Sequence, residues 1–484
     1  MTYRITVLPA QVNIPADGGD LLSALRAAGL GPDAPCGGNG RCGKCTVLLD
    51  GRPVPACRVT VDRNMTVTIP QQSSLQILTE GVSLWEGSST VRGPALAFDI
   101  GTTTVAGYLL DAQGQEVTSQ SCLNPQQIYG ADVISRIRLA LKGELAAMSA
   151  CIRSCVSDMS RSLCEAGGVN PEDIQTVSIV GNPAMQQLYL GINPENLATV
   201  PYSPVLTQYE ITAAQPYLPC CPNAALLIVP DIGGFVGADT AACILATGMS
   251  EQEETTLLVD IGTNGEMVLG NRHRLVACST AAGPALEGAG IRWGMRGSTG
   301  AIDHVWLEDQ QLRCSVIGGG EAIGICGSGL IDAAAAALEL GLLNSRGKIL
   351  SEERTIPLQG EICLTQEDIR QLQLAKGAIA AGIRLMARQL GISPGNIDRV
   401  YLAGAFGTFL NPRSACKIGL LPPELDGKIR SVGNAAGSGA KILAAGEDAL
   451  AQVQRIVDRT EFLELASLPD FNRYFAESMR FPHG

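Results

Sequence analysis

Apolar and polar residues in the stretch 255–269 follow an order that predicts two strands joined by a tight turn. An apolar run, Leu257-Leu258-Val259, leads to Asp260. The turn Gly262-Thr263-Asn264-Gly265 comes next, and a second apolar run follows Glu266. A Gly- and Asn-containing turn between two apolar runs is typical of a β-hairpin.

The stretch 95–110, ALAFDIGTTTVAGYLL, repeats this order. Asp99 takes the place of Asp260, and Gly101 is followed by Thr102, Thr103 and Thr104. A repeated unit of this kind predicts two related halves. We place them at residues 95–254 and 255–484.

Both predicted turns have the groups that bind phosphate and magnesium. Unpaired backbone N–H groups bind phosphate oxygens, and a carboxylate holds Mg²⁺ directly or through water. Asp99 and Asp260 are therefore candidate metal-positioning residues. Because Asp is also common in turns for its capping hydrogen bonds, turn capping is the alternative explanation. The occurrence of the same Asp in both units favours the metal.

Two later strands also run into glycine-rich turns. The predicted strand 399–402 leads to Gly404 and Ala405, and the predicted strand 431–432 leads to Gly437 and Ser438. Two such turns in succession suit an adenine–ribose group held between backbone segments. The two hairpins and the two later turns together, in this order, predict a nucleotide site.

The first 80 residues have a different pattern, with short predicted strands around one helix at 20–28. Within them lie Cys36, Cys42 and Cys45 in a glycine-rich loop, and Cys57 follows twelve positions after Cys45. Four thiolates, two per iron, hold a [2Fe–2S] cluster, and the glycines let backbone N–H groups approach its sulfurs. The plant-type loop has four residues in the first gap where this chain has five. Zinc is the alternative, but structural zinc usually lies between paired Cys-x2-Cys knuckles and only one is present.

Composition narrows the function classes. The formal net charge of −12 over 484 residues argues against a nucleic-acid groove or an anionic membrane surface. The sequence contains no run of 18 apolar residues, so no membrane span is expected. The first residues also lack a signal-peptide core, and we therefore expect a cytoplasmic protein. With only three histidines, a histidine-based triad or zinc site is not expected. In the reducing cytoplasm, the sixteen cysteines are expected to be metal ligands or buried thiols rather than disulfides.

Residues 81–94, GVSLWEGSSTVRGP, contain Gly, Ser and Pro and little apolar periodicity. This composition predicts a linker between the cysteine-rich module, residues 1–80, and the first half. A segment of 14 residues reaches about 45–50 Å at most. An ordered loop packed on the body is the equal alternative.

The body from residue 95 onward resembles the superfamily of acetate and sugar kinases, heat-shock chaperones and actin. This resemblance implies an α/β fold of two ribonuclease-H-like lobes with ATP between them, preceded here by a small β-grasp ferredoxin domain. The motifs that carry the resemblance are DIGTTT from Asp99, DIGTNG from Asp260 and LAGAF from Leu402. It implies phosphate binding by residues 101–104 and 262–265, adenosine binding near Gly404, Ala405, Gly437 and Ser438, and catalytic roles for Asp99 and Asp260. Glu266 and Glu287 are further candidates for contact with magnesium or water, with a surface role equally open.

Joined to the cysteine module, the body is similar to the reductive activators of corrinoid proteins that serve methyltransferase systems. The shared stretches include CGGNGRCGKC, GPALEGAGI and VGNAAGSGA. This resemblance implies ATP-dependent reduction of cob(II)alamin to cob(I)alamin on a partner protein. It also implies a ferredoxin or flavoprotein as the upstream electron donor, and a homodimer. Larger members of this family carry a further domain where this chain has only the linker.

Three other functions are compatible with the same features. Activators of 2-hydroxyacyl-CoA dehydratases are also ATP-driven electron donors, but they hold a [4Fe–4S] cluster between two subunits and lack a ferredoxin module. A redox-sensing protein that binds ATP without turnover is the second. A small-molecule kinase is the third and weakest, since a kinase has no use for the cluster.

Overall fold

The computed structural model describes residues 2–28, 30–32, 38, 45–69, 79–81, 93–262, 264–446 and 448–482. Of the predicted site residues, Cys36, Cys42 and Thr263 lie outside the described residues, as does most of the predicted linker. Within the described part of the chain, no helix is long and apolar enough to cross a membrane.

The N-terminal module is a five-stranded sheet with one helix packed against it. The strands lie in the order β2-β1-β5-β3-β4, with β1 and β5 parallel and the other neighbours antiparallel. The bounds are β1 Tyr3–Leu8, β2 Val12–Ala16, α1 Leu21–Ala27, β3 Thr46–Leu49, β4 Arg52–Pro55 and β5 Met65–Thr68. Asp20 begins α1 by accepting from the Ser23 N–H at 2.9 Å, and Leu21, Leu22 and Leu25 bury one face. The segment 59–61 contributes only a bridge between Thr60 and Asp20.

The first half of the body is built on a six-stranded sheet in the order β10-β11-β9-β6-β7-β8. Its strands are β6 Ala95–Ile100, β7 Thr104–Leu110, β8 Glu116–Leu123, β9 Thr176–Gly181, β10 Glu210–Ala213 and β11 Ala225–Ile228. Its helices are α2 Val133–Leu139, α3 Leu145–Gly167, α4 Pro183–Leu190 and α5 Ala238–Thr247. The helix α3 ends at Gly168, whose φ of +66° is a left-handed conformation that glycine adopts without strain.

The second half repeats the arrangement with the order β21-β20-β12-β13-β14-β22. Its strands, including two small sheets, are β12 Thr256–Ile261, β13 Gly265–Gly270, β14 Leu275–Thr280, β15 Ala301–Glu308, β16 Gln311–Val316, β17 Gly324–Ile325, β18 Thr355–Gln359, β19 Ile362–Thr365, β20 Arg399–Ala403, β21 Ile429–Gly433 and β22 Thr460–Phe462. Its helices are α6 Gly327–Glu339, α7 Gln366–Leu390, α8 Gly404–Phe409, α9 Pro412–Lys417, α10 Ala435–Ala445, α11 Ala449–Arg459 and α12 Phe471–Ser478. The longest of these helices, α7, is begun by a capping box between Thr365 and Asp368.

Two helices between the sheets join the halves. One buried cluster contains apolar residues of both sheets and of α5 and α10. A Cβ on Gly439 of α10 would lie 2.2 Å from the backbone oxygen of Ala242 in α5, so only glycine allows this close crossing. The Ser178 hydroxyl of β9 also donates to the Ala440 oxygen of α10 at 2.6 Å. The helix that follows β21 of the second sheet is thus packed on the first sheet.

Candidate active site

Both predicted hairpins form, and each places its aspartate one residue before the end of its first strand. Asp99 in β6 pairs with Ala106 of β7, and Asp260 in β12 pairs with Glu266 of β13. The second hairpin therefore brings two carboxylates side by side, whereas the first has only one.

The turn of the first hairpin is held from behind by side chains of neighbouring elements. The Asn124 amide donates to the Gly101 oxygen at 2.8 Å, and the Gln127 amide donates to the Thr103 oxygen at 2.7 Å. The Arg136 guanidinium donates to the Thr102 oxygen at 2.6 Å. With these carbonyl oxygens engaged, the turn is fixed in shape before any ligand arrives, which lowers the entropic cost of binding.

Arg136 and Asn182 were not predicted from the sequence. Arg136 is buried, and burial lowers the pKa of its guanidinium to about 10. Asn182 donates to the Thr102 hydroxyl at 3.1 Å. The available signals were the polar loop before α2 and the Gly181-Asn182 pair that ends β9, but neither pattern indicates a contact with Thr102, which lies 34 positions before Arg136 and 80 before Asn182.

A third aspartate, Asp239 in the first turn of α5, joins Asp99 and Asp260 in the cleft. Burial, then repulsion from Asp239, raises the pKa of both Asp99 and Asp260 to about 7. Burial raises the pKa of Asp239 itself to about 6, although the Thr240 N–H and hydroxyl oppose the shift. All three residues are half-buried, so they line the floor of a cleft rather than a closed core.

Glu266 and Asp231 complete the acidic group. Burial, then repulsion from Asp239 and Asp260, raises the pKa of Glu266 well above its usual range. Asp231 is almost fully buried, and burial together with repulsion from Asp239 raises its pKa as well. Asp239 is the residue that acts on all the others, and the sequence analysis missed it because it lies in an ordinary small-residue helix.

This acidic group suits a divalent cation. Within the described part of the chain, no Lys or Arg is among the groups that lower the raised pKa values of these five carboxyls. Nor do three His, Cys, Asp or Glu side chains of the described residues converge closely enough to hold a metal by themselves. Magnesium usually keeps several waters and takes one or two carboxylates together with substrate phosphates. The donor set therefore fits Mg²⁺ bound with a nucleotide better than a closed metal cage.

The four residues predicted near adenosine lie in two places. Gly404 begins α8 directly after β20, and with φ at +77° a Cβ there would lie 2.5 Å from Asp260 Oδ1. Ala405 follows it in α8. Gly437 lies in the first turn of α10, where a Cβ would meet the Tyr108 hydroxyl at 2.3 Å. Ser438 is buried beside it. Glu287, a weaker candidate, ends a short 3-10 turn outside these two places.

Two of the four predicted cluster ligands are described. Cys45 is buried just before β3, and its backbone oxygen accepts from the Ala56 N–H at 2.8 Å. Cys57 follows Ala56 on a 3-10 turn and is half-buried. A Cβ on Gly38, in the loop between Cys36 and Cys42, would lie 3.7 Å from the Cys57 Cβ. Gly38, the described residue of this loop, therefore lies close to Cys57.

Comparison with protein-family models matches three successive segments of the chain. Residues 5–68 match a 2Fe-2S iron-sulfur cluster binding domain, residues 94–252 the RACo middle region, and residues 254–484 the C-terminal ASKHA domain of RACo. The corrinoid activation enzyme RamQ of Eubacterium limosum is 36% identical over 406 residues, which covers 78% of this chain and 68% of that protein. The chain belongs to the RACo family. The expected resemblance, fold and cofactors are thereby confirmed: a ferredoxin-type [2Fe–2S] domain precedes an actin-like ATPase body that binds ATP with Mg²⁺.

Two further relatives extend along most of this RACo-family chain. The [Co(II) methylated amine-specific corrinoid protein] reductase of Methanosarcina barkeri is 27% identical over 419 residues, covering 78% of this chain and 75% of that protein. A solved structure of a reductive activator for corrinoid,iron-sulfur protein is 28% identical, with a TM-score of 0.71 over 99% of this chain and 98% of that one.

Proposed function

We propose that this protein uses ATP to drive an electron to the inactive cob(II)alamin of a partner corrinoid protein, giving cob(I)alamin for methyl transfer. One observation carries the proposal. A cleft lined by Asp99, Asp239 and Asp260 lies in the same chain as a 2Fe-2S domain, in a family whose named relatives activate or reduce corrinoid proteins. The 2Fe-2S match favours this function over the dehydratase activators, which lack such a domain.

The electron transfer needs a driving force. A plant-type cluster has a potential of about −400 mV, and the cob(II)/cob(I) couple is expected to lie lower. Each 59 mV of uphill one-electron transfer reduces the equilibrium constant by a factor of about ten. When bound by Cys36, Cys42, Cys45 and Cys57, the cluster supplies one-electron chemistry. The ATPase body then supplies the free energy.

Different residues of the cleft contact the phosphates, the magnesium and the adenosine of the nucleotide in this proposal. The turns at residues 101–104 and 262–265 hold phosphates through backbone N–H groups and hydroxyls. Asp99 and Asp260 position magnesium, one of them orienting the attacking water, with Asp239 and Glu266 beside them. Gly404 keeps the backbone close to Asp260 without a side chain. Adenosine lies near Gly404, Ala405, Gly437 and Ser438 in this proposal.

The division of the chain is part of the proposal. Residues 1–80 form the electron-transfer module, 81–94 the linker, and 95–254 and 255–484 the two ATPase lobes. Nucleotide binding would close the lobes and change the affinity for the partner. The shift from the open to the closed state can be no larger than the difference in nucleotide affinity between those two states. A ferredoxin or flavoprotein as electron source and a homodimer complete the proposal, and the cytoplasmic location stays a prediction.

The decisive test is anaerobic mixing with a candidate cob(II)alamin protein, following the visible spectrum with and without MgATP. We expect cob(I)alamin to form only with MgATP. The Asp260→Ala variant should keep its cluster but lose the MgATP-driven reduction of cobalt. Asp111→Asn is the matched control. Asp111 caps the turn at the other end of β7 by accepting from Gln113 and Gln115. Wild-type, ATP-dependent reduction by the Asp260→Ala protein would show that Asp260 only caps its turn.

A further inference from the structure

Three residues at the end of the electron-transfer module and the start of the linker, Thr79–Gly81, are seated on the nucleotide cleft. We call them the strap. The Glu80 oxygen accepts from the Asn434 N–H at 2.8 Å, and the Thr79 oxygen accepts from the Tyr108 hydroxyl at 2.9 Å. Gly81 forms an antiparallel bridge with Gly433. The strap therefore contacts β7 of the first sheet and the junction of β21 with α10 at the same time.

The strap is packed without free space. A Cβ on Gly81 would lie 2.3 Å from the Asn434 oxygen and 2.6 Å from the Ser438 hydroxyl. A Cβ on Gly433 would lie 2.4 Å from the Glu80 oxygen. Backbone atoms at such distances cannot move aside as the end of a flexible side chain can. Glycine is therefore required at positions 81 and 433 for the strap to occupy this position.

The residues that hold the strap also hold Asp99. The Asn434 amide donates to Asp99 Oδ2 at 3.0 Å and approaches the Tyr108 hydroxyl at 3.2 Å. One amide group is thus shared between the carboxylate that faces the cleft and the tyrosine that binds the strap. A ligand that draws Asp99 toward a metal would therefore act on the same amide that contacts the Tyr108 hydroxyl.

The position of the strap sets the reach of the module. From Thr68, the last residue of β5, to Thr79 is 11 residues, which span about 36–40 Å when fully extended. From Thr68 to Gly93, where the description of the body resumes, is 25 residues, or about 83–90 Å. Docking of the strap therefore reduces the longest reach of the module to less than half.

We propose that Thr79–Gly81 is a nucleotide-responsive strap, which holds the electron-transfer module close to the body when docked and is released when a magnesium nucleotide binds beside Asp99. The proposal rests on the proposed function in one respect, namely nucleotide binding in this cleft. Release would allow the module to reach a partner only in the nucleotide-bound state. By linkage, a strap that cannot dock must raise the affinity for the nucleotide.

Hydrogen exchange of the full-length, cluster-loaded protein tests the docking, with and without Mg·AMPPNP. We expect the nucleotide to speed exchange in peptides that contain residues 79–81 and at the Asn434 N–H. Gly81→Val, which cannot dock, should show this fast exchange without nucleotide. Its affinity for Mg·AMPPNP by calorimetry should be about fivefold or more tighter, at the lower end of typical couplings. Gly395→Ala is the matched control, since a Cβ there meets its nearest neighbour only at 3.8 Å.

Two results would overturn the strap. One is nucleotide binding that leaves exchange at residues 79–81 unchanged or slower. The other is a Gly81→Val protein that binds the nucleotide no more tightly than the wild type. Failure of the proposed function has a different signature, because the protein would then not bind the nucleotide or not reduce cobalt. Comparison of the nucleotide-free Gly81→Val and wild-type proteins tests the seating of the strap in either case.

Discussion

The Asn434 amide donates to Asp99 Oδ2 at 3.0 Å, although the two residues are 335 positions apart in the chain. Asn434 also begins α10, because its Oδ1 accepts from the Gly437 N–H at 2.8 Å. One side chain therefore orders a helix that follows the second sheet and a carboxylate that belongs to the first. This bond is a direct polar link between the halves at the site.

Separate variants of Asn434 distinguish these two roles. Asn434→Ala removes the cap and the bond to Asp99, and should lower the free energy of unfolding by about 1–2 kcal/mol. Asn434→Asp keeps an N-cap acceptor but places a second carboxylate against Asp99, so the pKa of Asp99 should rise further. We expect Asn434→Asp to retain most of the stability in denaturant and to shift the acid limb of the ATPase pH profile upward. An unshifted profile would show that Asn434 is a helix cap only.

Asp239 is predicted to matter for ATP hydrolysis because its charge acts on both Asp99 and Asp260. Asp239→Asn keeps the shape and removes the charge. We expect kcat for ATP hydrolysis to fall by about 10²-fold or more and the pKa values of Asp99 and Asp260 to fall. Steady-state kinetics across pH 5.5–8.5 measure both effects, with Asp111→Asn as the control. Wild-type kinetics in Asp239→Asn would remove Asp239 from the site.

Binding of the magnesium nucleotide should release protons. Without the metal, the pKa values of Asp99 and Asp260 are about 7 and that of Asp239 about 6, so these groups are partly protonated near pH 6.5. A cation favours the ionised form and lowers each pKa. Calorimetry at pH 6.5 in buffers of different ionisation enthalpy should show net proton release that shrinks toward pH 8.5. Proton uptake, or no linkage, would contradict the placement of the metal.

The same raised pKa values make the metal-free cleft a source of instability at high pH. The folded carboxyls bind protons up to about pH 6–7, whereas unfolded ones release them near pH 4. Between those values the folded state binds more protons, so their contribution to stability falls as pH rises. Magnesium nucleotide should restore stability most at pH 8, and a denaturation series at pH 5 and pH 8 checks this.

Lys376 predicts a pH dependence of the opposite sign in the second half. It is buried, it donates to the Arg480 oxygen at 2.6 Å, and burial lowers its pKa to about 7. Between pH 7 and about 10 the unfolded chain binds one more proton, so this contribution to stability rises with pH. Relative to the wild type, Lys376→Met should therefore be most stable near pH 7 and lose that advantage toward pH 10. Lys142→Met, at an exposed position, is the control, and parallel pH profiles would contradict the buried charge.

Cys57 should be required for the cluster but not for the nucleotide site. Cys57→Ser should lose most of the iron and the visible absorbance after anaerobic reconstitution, while binding of Mg·AMPPNP is unchanged. Cys363→Ser, at a half-buried thiol on β19, is the matched control. Full iron content in Cys57→Ser would remove this residue from the ligand set.

Much of the fold follows from local signals. The hairpins around Asp99 and Asp260 form where their patterns predict, because two apolar runs flank a glycine-containing turn that leaves one register favoured. The helical spacing of apolar residues and the glycines at its end indicate α3 from the sequence. The small β15–β17 and β18–β19 sheets were not predicted, since their strands are partly exposed and lack a clear alternation of buried and exposed residues.

The sequence by itself determined the two hairpins with their aspartates, the cysteine loop and the family, because each depends on residues close together in the chain. Only the tertiary structure decided that Asp239 shares the cleft, that Arg136 supports the first turn, and that Asn434 binds Asp99. The positions of Asp239 and Asn434 follow from the crossing of α5 and α10 at Gly439, which packs both sheets around one core, whereas Arg136 reaches the turn from α2 of the same half. No local pattern specifies where two helices nearly 200 positions apart will cross, so the charges that meet there can be found only in the folded chain.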